Sequence, residues 1–122
     1  MNQKLSKKIV MQYNEEFQYI YQKAKTFSDR YIVIHIAKNN KYNHEVGFAA
    51  GKKLGNAVIR NHIKRILREI YRKNKKNIQF GCCILIVGRR AAVTADYKII
   101  EKSFCRLCKK AKIWKVVPVK NG

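Results

Sequence analysis

The chain has 122 residues, of which 47% are hydrophobic, so it can bury the core of one folded domain and is not a disordered tail. Its 28 lysine and arginine residues against 7 acidic residues give a net charge of +21, far above the magnitude of about 2 to 8 that keeps a small domain soluble. The excess predicts a polyanionic partner, nucleic acid before an acidic protein or a membrane surface, and the lack of a long apolar run or a signal peptide predicts a cytoplasmic protein.

The predicted elements are a helix, two strands, a helix, a strand and a helix, in that order, within a single domain over residues 1–122. Asn14 is the predicted cap of the first helix, with Glu15 and Glu16 in its first turn. The spacing places four residues on one side: Phe17, Ile20, Tyr21 and Ala24. This spacing is typical of a core face, and its aromatic rings are equally suited to stack on bases.

The two strands are predicted at 31–37 and 44–50, and the polar turn between them predicts a hairpin. Alternation in the first strand gives two faces, one of Ile32, Ile34 and Ile36 and the other of Tyr31, Val33 and His35. The isoleucine face is expected to pack against the helices, together with three residues of the second strand: Val46, Phe48 and Ala50.

The opposite face of these strands is expected to be smooth and shallow, because Gly47, Ala49 and Gly51 lie beside His35. A sheet face of small residues with aromatic rings near it can hold an extended strand of nucleic acid. The same face could equally pack under the first helix.

A basic amphipathic helix is predicted within residues 51–72, after a turn that contains Gly51 and Gly55, with Asn56 as its cap. One side is apolar and consists of Ile59, Ile63, Ile66, Leu67 and Ile70. The opposite side, called the basic surface below, consists of Asn61, Lys64, Arg65, Arg68 and Arg72. Four cations around one amide suit a row of phosphates, although a lysine- and arginine-rich helix can also serve solubility alone.

The last elements are a strand at 82–88 and a helix from about Thr94, its predicted cap, to Lys112. The segment between the strands at 44–50 and 82–88 is long enough for a helical crossover, so these strands are predicted to be parallel neighbours. Cys105 and Cys108 form a C-x-x-C pattern within the last helix, but Cys108 belongs to the apolar stripe of that helix as a small core residue. Neither zinc nor a disulfide is therefore predicted.

The sequence shows no catalytic constellation, because the seven acidic residues are scattered over different elements. The Gly51–Gly55 turn is not a Walker loop, but its backbone N–H groups, with Lys52 and Lys53 beside them, suit an anion. His35, His44 and Lys41 leave open an acid–base cleavage of RNA by the protein itself.

The basic helix and the turn before it resemble the Arg-Asn-Arg signature of the bacterial ribonuclease P protein subunit. The matching residues are Lys52, Lys53, Gly55, Ala57, Val58, Arg60, Asn61, Lys64, Arg65 and Arg68. The order of the other elements agrees, so the resemblance extends over nearly the whole chain. It implies an α+β fold, a two-layer sandwich with a mixed four-stranded sheet and a left-handed βαβ crossover, like the second domain of a small-subunit ribosomal protein.

The resemblance also implies a division of labour in which the RNA subunit is the catalyst. That RNA cuts precursor tRNA at the 5′ end of the mature sequence with Mg²⁺ that it mainly binds itself, and the protein binds the catalytic RNA and the 5′ leader. No catalytic or metal-binding residue and no organic cofactor is implied for the protein, and a homodimer is possible but not predicted. The residues implied to bind the catalytic RNA are Lys52, Lys53, Arg60, Asn61, Lys64, Arg65, Arg68 and Arg72. Those implied to line the leader cleft are Phe17, Tyr21, Tyr31 and His35.

Three other functions fit parts of the sequence. A ribosomal or general RNA-binding protein has a similar basic composition, and a histidine ribonuclease would use the histidines named above. A DNA-binding protein could place the helix at 57–76 in a major groove, but the preceding helix of a helix-turn-helix is lacking. Cleavage of precursor tRNA with and without the RNA subunit separates these functions.

Overall fold

The computed structural model describes residues 24–38, 45–78 and 82–115. They form the strands β1 (Lys25–Ser28), β2 (Ile32–Lys38), β3 (Glu45–Ala50) and β4 (Cys82–Gly88), and the helices α1 (Ala57–Asn74) and α2 (Tyr97–Lys110). Short 3₁₀ helices span Lys52–Leu54, Lys75–Asn77 and Arg90–Thr94. The predicted first helix, with Phe17 and Tyr21, lies outside the described residues, as do Lys41 and His44.

The four strands form one mixed sheet in the order β1-β2-β4-β3. β2 is antiparallel to β1 and β4, and β3 is parallel to β4, which confirms the predicted parallel pair. The predicted hairpin is wrong, because β4 lies between β2 and β3. β4 is buried on both faces, by Ile84 and Ile86 on one and by Cys83 and Leu85 on the other, so a central position covers apolar surface that an edge position would expose.

The sequence analysis did not predict β1, which has only four residues. A turn follows β1, where Asp29 Oδ1 accepts hydrogen bonds from the backbone N–H groups of Tyr31 at 2.8 Å and Ile32 at 3.1 Å. This turn returns the chain into β2, so Phe27 lies opposite Ile34 and packs on the same core.

The main core lies between the sheet and both helices. As predicted, Ile32, Ile34, Ile36 and Val46 are buried there, with Phe48 and Ala50 packed beside them. The helices contribute Ile63, Leu67, Ile70, Tyr71, Ile100, Phe104, Leu107 and Cys108. Both helices therefore lie on one side of the sheet, and the face that carries His35 is on the other; it is called the outer face below.

α1 approaches the sheet closely where β4 ends. A Cβ atom added at Gly88 would lie 2.5 Å from Ile63 Cγ2, so only glycine allows this distance between helix and strand. Tyr71, further along α1, meets the ring of Phe48 edge-on at a centroid distance of 6.0 Å. α1 thus starts at the end of the sheet where β3 and β4 finish, called the C-terminal end below, and runs back towards their beginnings.

α2 begins at Tyr97 with Asp96 at its N-cap position, so the prediction of Thr94 as the cap is wrong. Thr94 is the last residue of a 3₁₀ helix whose Ala92 is buried in the main core, and the chain turns once more before α2 starts. The predicted apolar stripe is confirmed, and Cys108 is fully buried as a core residue.

Candidate nucleic-acid interface

The start of α1 is fixed by its own local sequence. Asn56 Oδ1 accepts a hydrogen bond from the backbone N–H of Ile59 at 3.0 Å, which confirms Asn56 as the cap. Gly55 has φ 145°, and a Cβ atom there would lie 2.7 Å from Ile59 Cδ1. The glycine turn therefore lets the chain enter the helix with its first N–H groups and the exposed side chains of Lys52 and Lys53 near each other.

The basic surface of α1 faces away from the sheet, as predicted. Asn61 and Arg65 are exposed and Lys64 is half-buried, and within the described residues neither Lys64 nor Arg65 forms an ion pair. Their positive charges are therefore not neutralised by a carboxylate of the described residues. They are the residues best placed to meet phosphates.

Two arginines of the basic surface have partners inside the protein. The guanidinium of Arg68 lies 5.5 Å from the centroid of the Phe48 ring, a cation–π distance. Arg72 donates from Nε to Glu69 Oε1 at 3.0 Å and from Nη2 to Glu69 Oε2 at 2.6 Å, and this hydrogen-bonded ion pair raises the pKa of Arg72. Glu69 therefore neutralises one cation of the basic surface.

Arg60 lies one turn before Lys64 and is half-buried. Its Nε is buried and has no hydrogen-bond partner among the described residues. A buried guanidinium N–H without an acceptor is unfavourable, so a bound anion at this point would satisfy it.

The C-terminal end of the sheet brings further cations together. β3 ends at Ala50 opposite Gly88 of β4, and β2 begins at Ile32 opposite the same Gly88, so three connections meet there. Their exposed cations are Arg30, Lys52, Lys53, Arg89 and Arg90. Arg89 is held by a hydrogen bond from Nη1 to the backbone oxygen of Asp29 at 2.9 Å and from its backbone N to Tyr31 O at 2.8 Å.

The carboxylates near this end of the sheet are fewer than the cations. Asp96 is exposed, and Asp29 Oδ2 pairs with Arg106 Nη2 at 2.6 Å. Burial acts to raise the pKa of Asp29, but hydrogen bonds from Ser103, Ile32, Tyr31 and Arg106 outweigh it and lower the pKa. Sequence reasoning selected Lys52 and Lys53 and missed Arg89 and Arg90. The predicted parallel pairing was the available signal, because residues that follow two parallel neighbours meet at one end.

The outer face has Gly47 and Ala49, as the sequence predicts, but its centre is not open, because Ala37, Cys83 and Leu85 are buried there. Thr26, His35, Leu85 and Gly47 form one row across the four strands, and Ala49 and Val87 lie in the next. His35 is half-buried, its Nδ1 lies 3.0 Å from Thr26 Oγ1, and burial lowers its pKa, so the ring is neutral at neutral pH. Neutral imidazole is suited to hydrogen bonding and stacking rather than to ion pairing.

Tyr31 packs on the helix side of the sheet and not on the outer face with His35, so the face predicted for it is wrong, and its role in the leader cleft stays a prediction. It precedes β2, within the turn that Asp29 holds, and it packs against the main core on the helix side. The strand alternation therefore does not extend back to residue 31.

Catalytic and metal-binding chemistry has little support among the described residues. In 24–38, 45–78 and 82–115 no group of three or more His, Cys, Asp or Glu side chains could hold a metal ion. Within the same ranges, no helix is long and apolar enough to cross a membrane. Cys105 is half-buried beside Asn74, with Sγ 3.8 Å from Oδ1, and burial raises the pKa of its thiol.

Comparison with known proteins shows the family of the chain. The model of the Ribonuclease P family matches residues 5–112. The chain belongs to the ribonuclease P family. A ribonuclease P protein component from Natranaerobius thermophilus is 35% identical over 109 residues, which are 89% of this chain and 95% of the relative.

Solved structures of relatives confirm the α+β fold. The RNase P protein of Staphylococcus aureus has a TM-score of 0.78 and 33% identity, covering 87% of this chain and 97% of that one. A mutant of the S. aureus protein with defective mRNA degradation activity has a TM-score of 0.77 and 34% identity, covering 86% and 89%. The chain is thus the protein component of a ribonucleoprotein endoribonuclease, and the role of its family is tRNA 5′ processing.

Proposed function

We propose that the basic surface of α1, together with Lys52, Lys53 and Arg60, binds the catalytic RNA, and that the outer face around His35 binds the 5′ leader of precursor tRNA. Arg89 and Arg90 extend the phosphate-binding region at the C-terminal end of the sheet, between the two surfaces. Phe17 and Tyr21 remain predicted members of the leader cleft. The complex acts in the cytoplasm, and this chain forms one RNA-binding domain.

One observation carries the proposal: α1 presents Lys64 and Arg65 outward without a carboxylate partner among the described residues. A helix that served only solubility would be expected to pair such charges along its surface, as Arg72 and Glu69 do. A ribonuclease P protein has an RNA partner, whose phosphates supply the missing negative charge.

Three carboxylates of the described residues are poorly arranged to hold catalytic Mg²⁺. Asp29 is occupied by Arg106 and two backbone N–H groups, Glu69 by Arg72, and Glu101 by Asn74, whose Nδ2 lies 2.9 Å from Oε2. Each acid is engaged singly, whereas a catalytic metal site needs several oxygen ligands that converge. We therefore assign the Mg²⁺ of the reaction to the RNA subunit and derive no chemical step from the protein.

Leader binding is tested with precursor tRNA and mature tRNA bound to the reconstituted complex. His35→Ala is expected to weaken binding of the leader-bearing RNA by about 5- to 150-fold, the equivalent of one stacked base at about 1 to 3 kcal/mol, and to leave mature tRNA unchanged. His62→Ala is the matched control, because His62 is an exposed histidine on α1. An unchanged ratio between the two RNAs in a folded His35→Ala variant would show that the outer face does not bind the leader.

Cleavage assays with the protein alone, the RNA subunit alone and both together test the assignment of the chemistry to RNA. Cleavage by the purified protein without RNA would refute it. The S. aureus mutant named above favours a second activity, degradation of mRNA, for this chain. The same assay with an unstructured mRNA tests this second activity. If the protein itself degrades mRNA, the degradation must persist after treatments that remove any copurified RNA.

A further inference from the structure

A cluster of lysines lies at the end of the sheet where β4 begins, opposite the C-terminal end. Two segments meet there, 75–78 after α1 and 109–115 at the end of α2. Ile78 and Trp114 form a β-bridge, and Lys115 N donates to Asn77 O at 2.7 Å. The cluster, called the lysine cluster below, consists of six exposed residues: Lys75, Lys76, Lys109, Lys110, Lys112 and Lys115.

The charge of the lysine cluster is not balanced locally. Neither segment contains Asp or Glu, and no residue in the described part of the chain forms an ion pair with any of the six lysines. Glu101 lies at the border, where it accepts a hydrogen bond from Asn74. Six like charges that repel one another in the isolated protein favour binding of an anionic partner.

Lys112 occupies a backbone position that favours glycine. Its φ is 63°, in the left-handed region, within a turn where Lys112 N donates to Lys109 O at 3.0 Å and Ile113 N donates to Cys108 O at 3.1 Å. This pair of hydrogen bonds defines a Schellman motif, whose left-handed residue is usually glycine. The fold itself therefore does not require lysine at this position. A contact of the side chain with a binding partner would explain its presence.

We propose that the lysine cluster is a second RNA-binding surface, which binds the phosphodiester backbone of the catalytic RNA. The proposal rests on the proposed function of α1. Lysine ammonium groups act as point charges without the planar geometry of arginine, which suits backbone phosphates rather than base edges. A second copy of this chain is a poor partner, because two clusters of the same sign would repel each other.

The position of the lysine cluster favours the catalytic RNA over the leader. Its anchors Ile78 and Ile113 belong to the main core on the helix side of the sheet, whereas His35 lies on the outer face. The cluster begins at Lys75, which is the residue after the end of α1 and lies three residues after Arg72. α1 has 18 residues and is about 27 Å long, so the lysine cluster and the residues near Lys52 would contact positions on one folded RNA about that far apart.

Trp114 provides a local reporter of binding. It is the one tryptophan of the chain, it is half-buried, and Lys109 Nζ lies 5.4 Å from its ring centroid. Titration of the full chain with the catalytic RNA is expected to change its fluorescence, because a phosphate that binds Lys109 alters the charge beside the ring. Mature tRNA at equal concentration is expected to change it less.

The decisive comparison uses two triple variants of equal charge change. Lys75→Gln/Lys76→Gln/Lys110→Gln removes three exposed cations of the lysine cluster, and Lys25→Gln/Lys98→Gln/Lys102→Gln removes three exposed cations elsewhere. Affinity for the catalytic RNA is measured as a function of salt. The salt slope of the cluster variant is expected to be lower by about two, since each phosphate contact contributes about 0.7 to 0.9. The slope of the control variant is expected to be lower by less than about one.

Lys112→Gly separates binding from stability. It is expected to raise the unfolding temperature, because glycine suits the left-handed position, while lowering the salt slope by about 0.7 to 0.9. Three outcomes would overturn the proposal. They are equal slope losses in both triple variants, an effect confined to precursor tRNA, and an unchanged slope in both Lys112→Gly and the cluster variant. Arg65→Ala, measured in parallel, distinguishes the failures: loss with Arg65→Ala alone refutes the lysine cluster, and loss with the cluster variant alone refutes the role of α1.

Discussion

Glu69→Gln should strengthen binding of the catalytic RNA. In the protein Arg72 is held by Glu69 through hydrogen bonds of 3.0 Å and 2.6 Å, so its guanidinium is only partly available to a phosphate. Removing the carboxylate releases Arg72 and also removes a negative charge beside the basic surface. Both changes favour RNA.

The magnitude follows from one additional phosphate contact. Such a contact increases the salt slope by about 0.7 to 0.9, so the affinity ratio of variant to parent should grow about threefold when salt falls from about 200 to about 50 mM. The loss in stability should be small, because 53% of the Arg72 side chain and 43% of the Glu69 side chain are exposed and water screens the pair.

The assay is equilibrium binding of the RNA subunit at several salt concentrations, with the double variant Glu69→Gln/Arg72→Gln as control. If the gain depends on Arg72, the double variant loses it, and the difference between the variants measures the coupling. A gain that persists in the double variant would mean that Glu69 acts only through its charge. No gain in Glu69→Gln would mean that Arg72 does not face the RNA.

Three further outcomes are expected. Gly88→Ala should destabilise the fold by about 1 to 3 kcal/mol in urea unfolding, because its Cβ would lie 2.5 Å from Ile63 Cγ2. Gly51→Ala is the control and should not destabilise the fold, because nothing lies within 4 Å of its Cβ. Equal effects of the two substitutions would contradict the close approach of helix and strand. Because the pKa of Asp29 is lowered in the folded protein, its contribution to stability is present above its unfolded pKa of about 3.9 and is lost as pH falls through the folded pKa. Asp29→Asn should therefore flatten the dependence of stability on pH below about 4. An unchanged pH profile would refute this. Sulfate should raise the unfolding temperature relative to chloride at matched ionic strength. The gain in the free energy of unfolding is about 2.7 kcal/mol at a hundredfold excess of sulfate over its Kd, and equal midpoints would count against assembled phosphate sites.

The features that the sequence predicts well depend on near neighbours in the chain. The start of α1 is set by Gly55 and Asn56, and its apolar stripe is set by the helical repeat, so both are readable from a few residues. The strand at 82–88 was predicted with its observed bounds because seven apolar or small residues lie between polar loops. The parallel pairing also followed from the length of the crossover.

The features that the sequence does not predict depend on distant residues. The position of β4 between β2 and β3 is decided by burial on both its faces, which no local pattern of β2 or β3 reveals. Tyr31 leaves the outer face because Asp29 turns the chain, and Asp29 in turn is held by Arg106, which lies 77 residues away. Arg89 and Arg90 join Lys52 and Lys53 only because β3 and β4 end together.

The cations of the interface differ in how much freedom they have before RNA binds. Arg68 rests over Phe48 and Arg89 is tied to Asp29 O, so these guanidinium groups are already oriented, and binding them to a phosphate should lose less than the about 0.5 to 1.5 kcal/mol of entropy lost when a free side chain is immobilised. Lys64 and Lys53 have no such contact with a described residue. The held arginines are therefore suited to fix the position of an RNA, and the lysines to attract it over longer distances. On the proposed function, this division would let a chain with a charge of +21 bind RNA in one orientation, because the total charge has no direction and the held groups do.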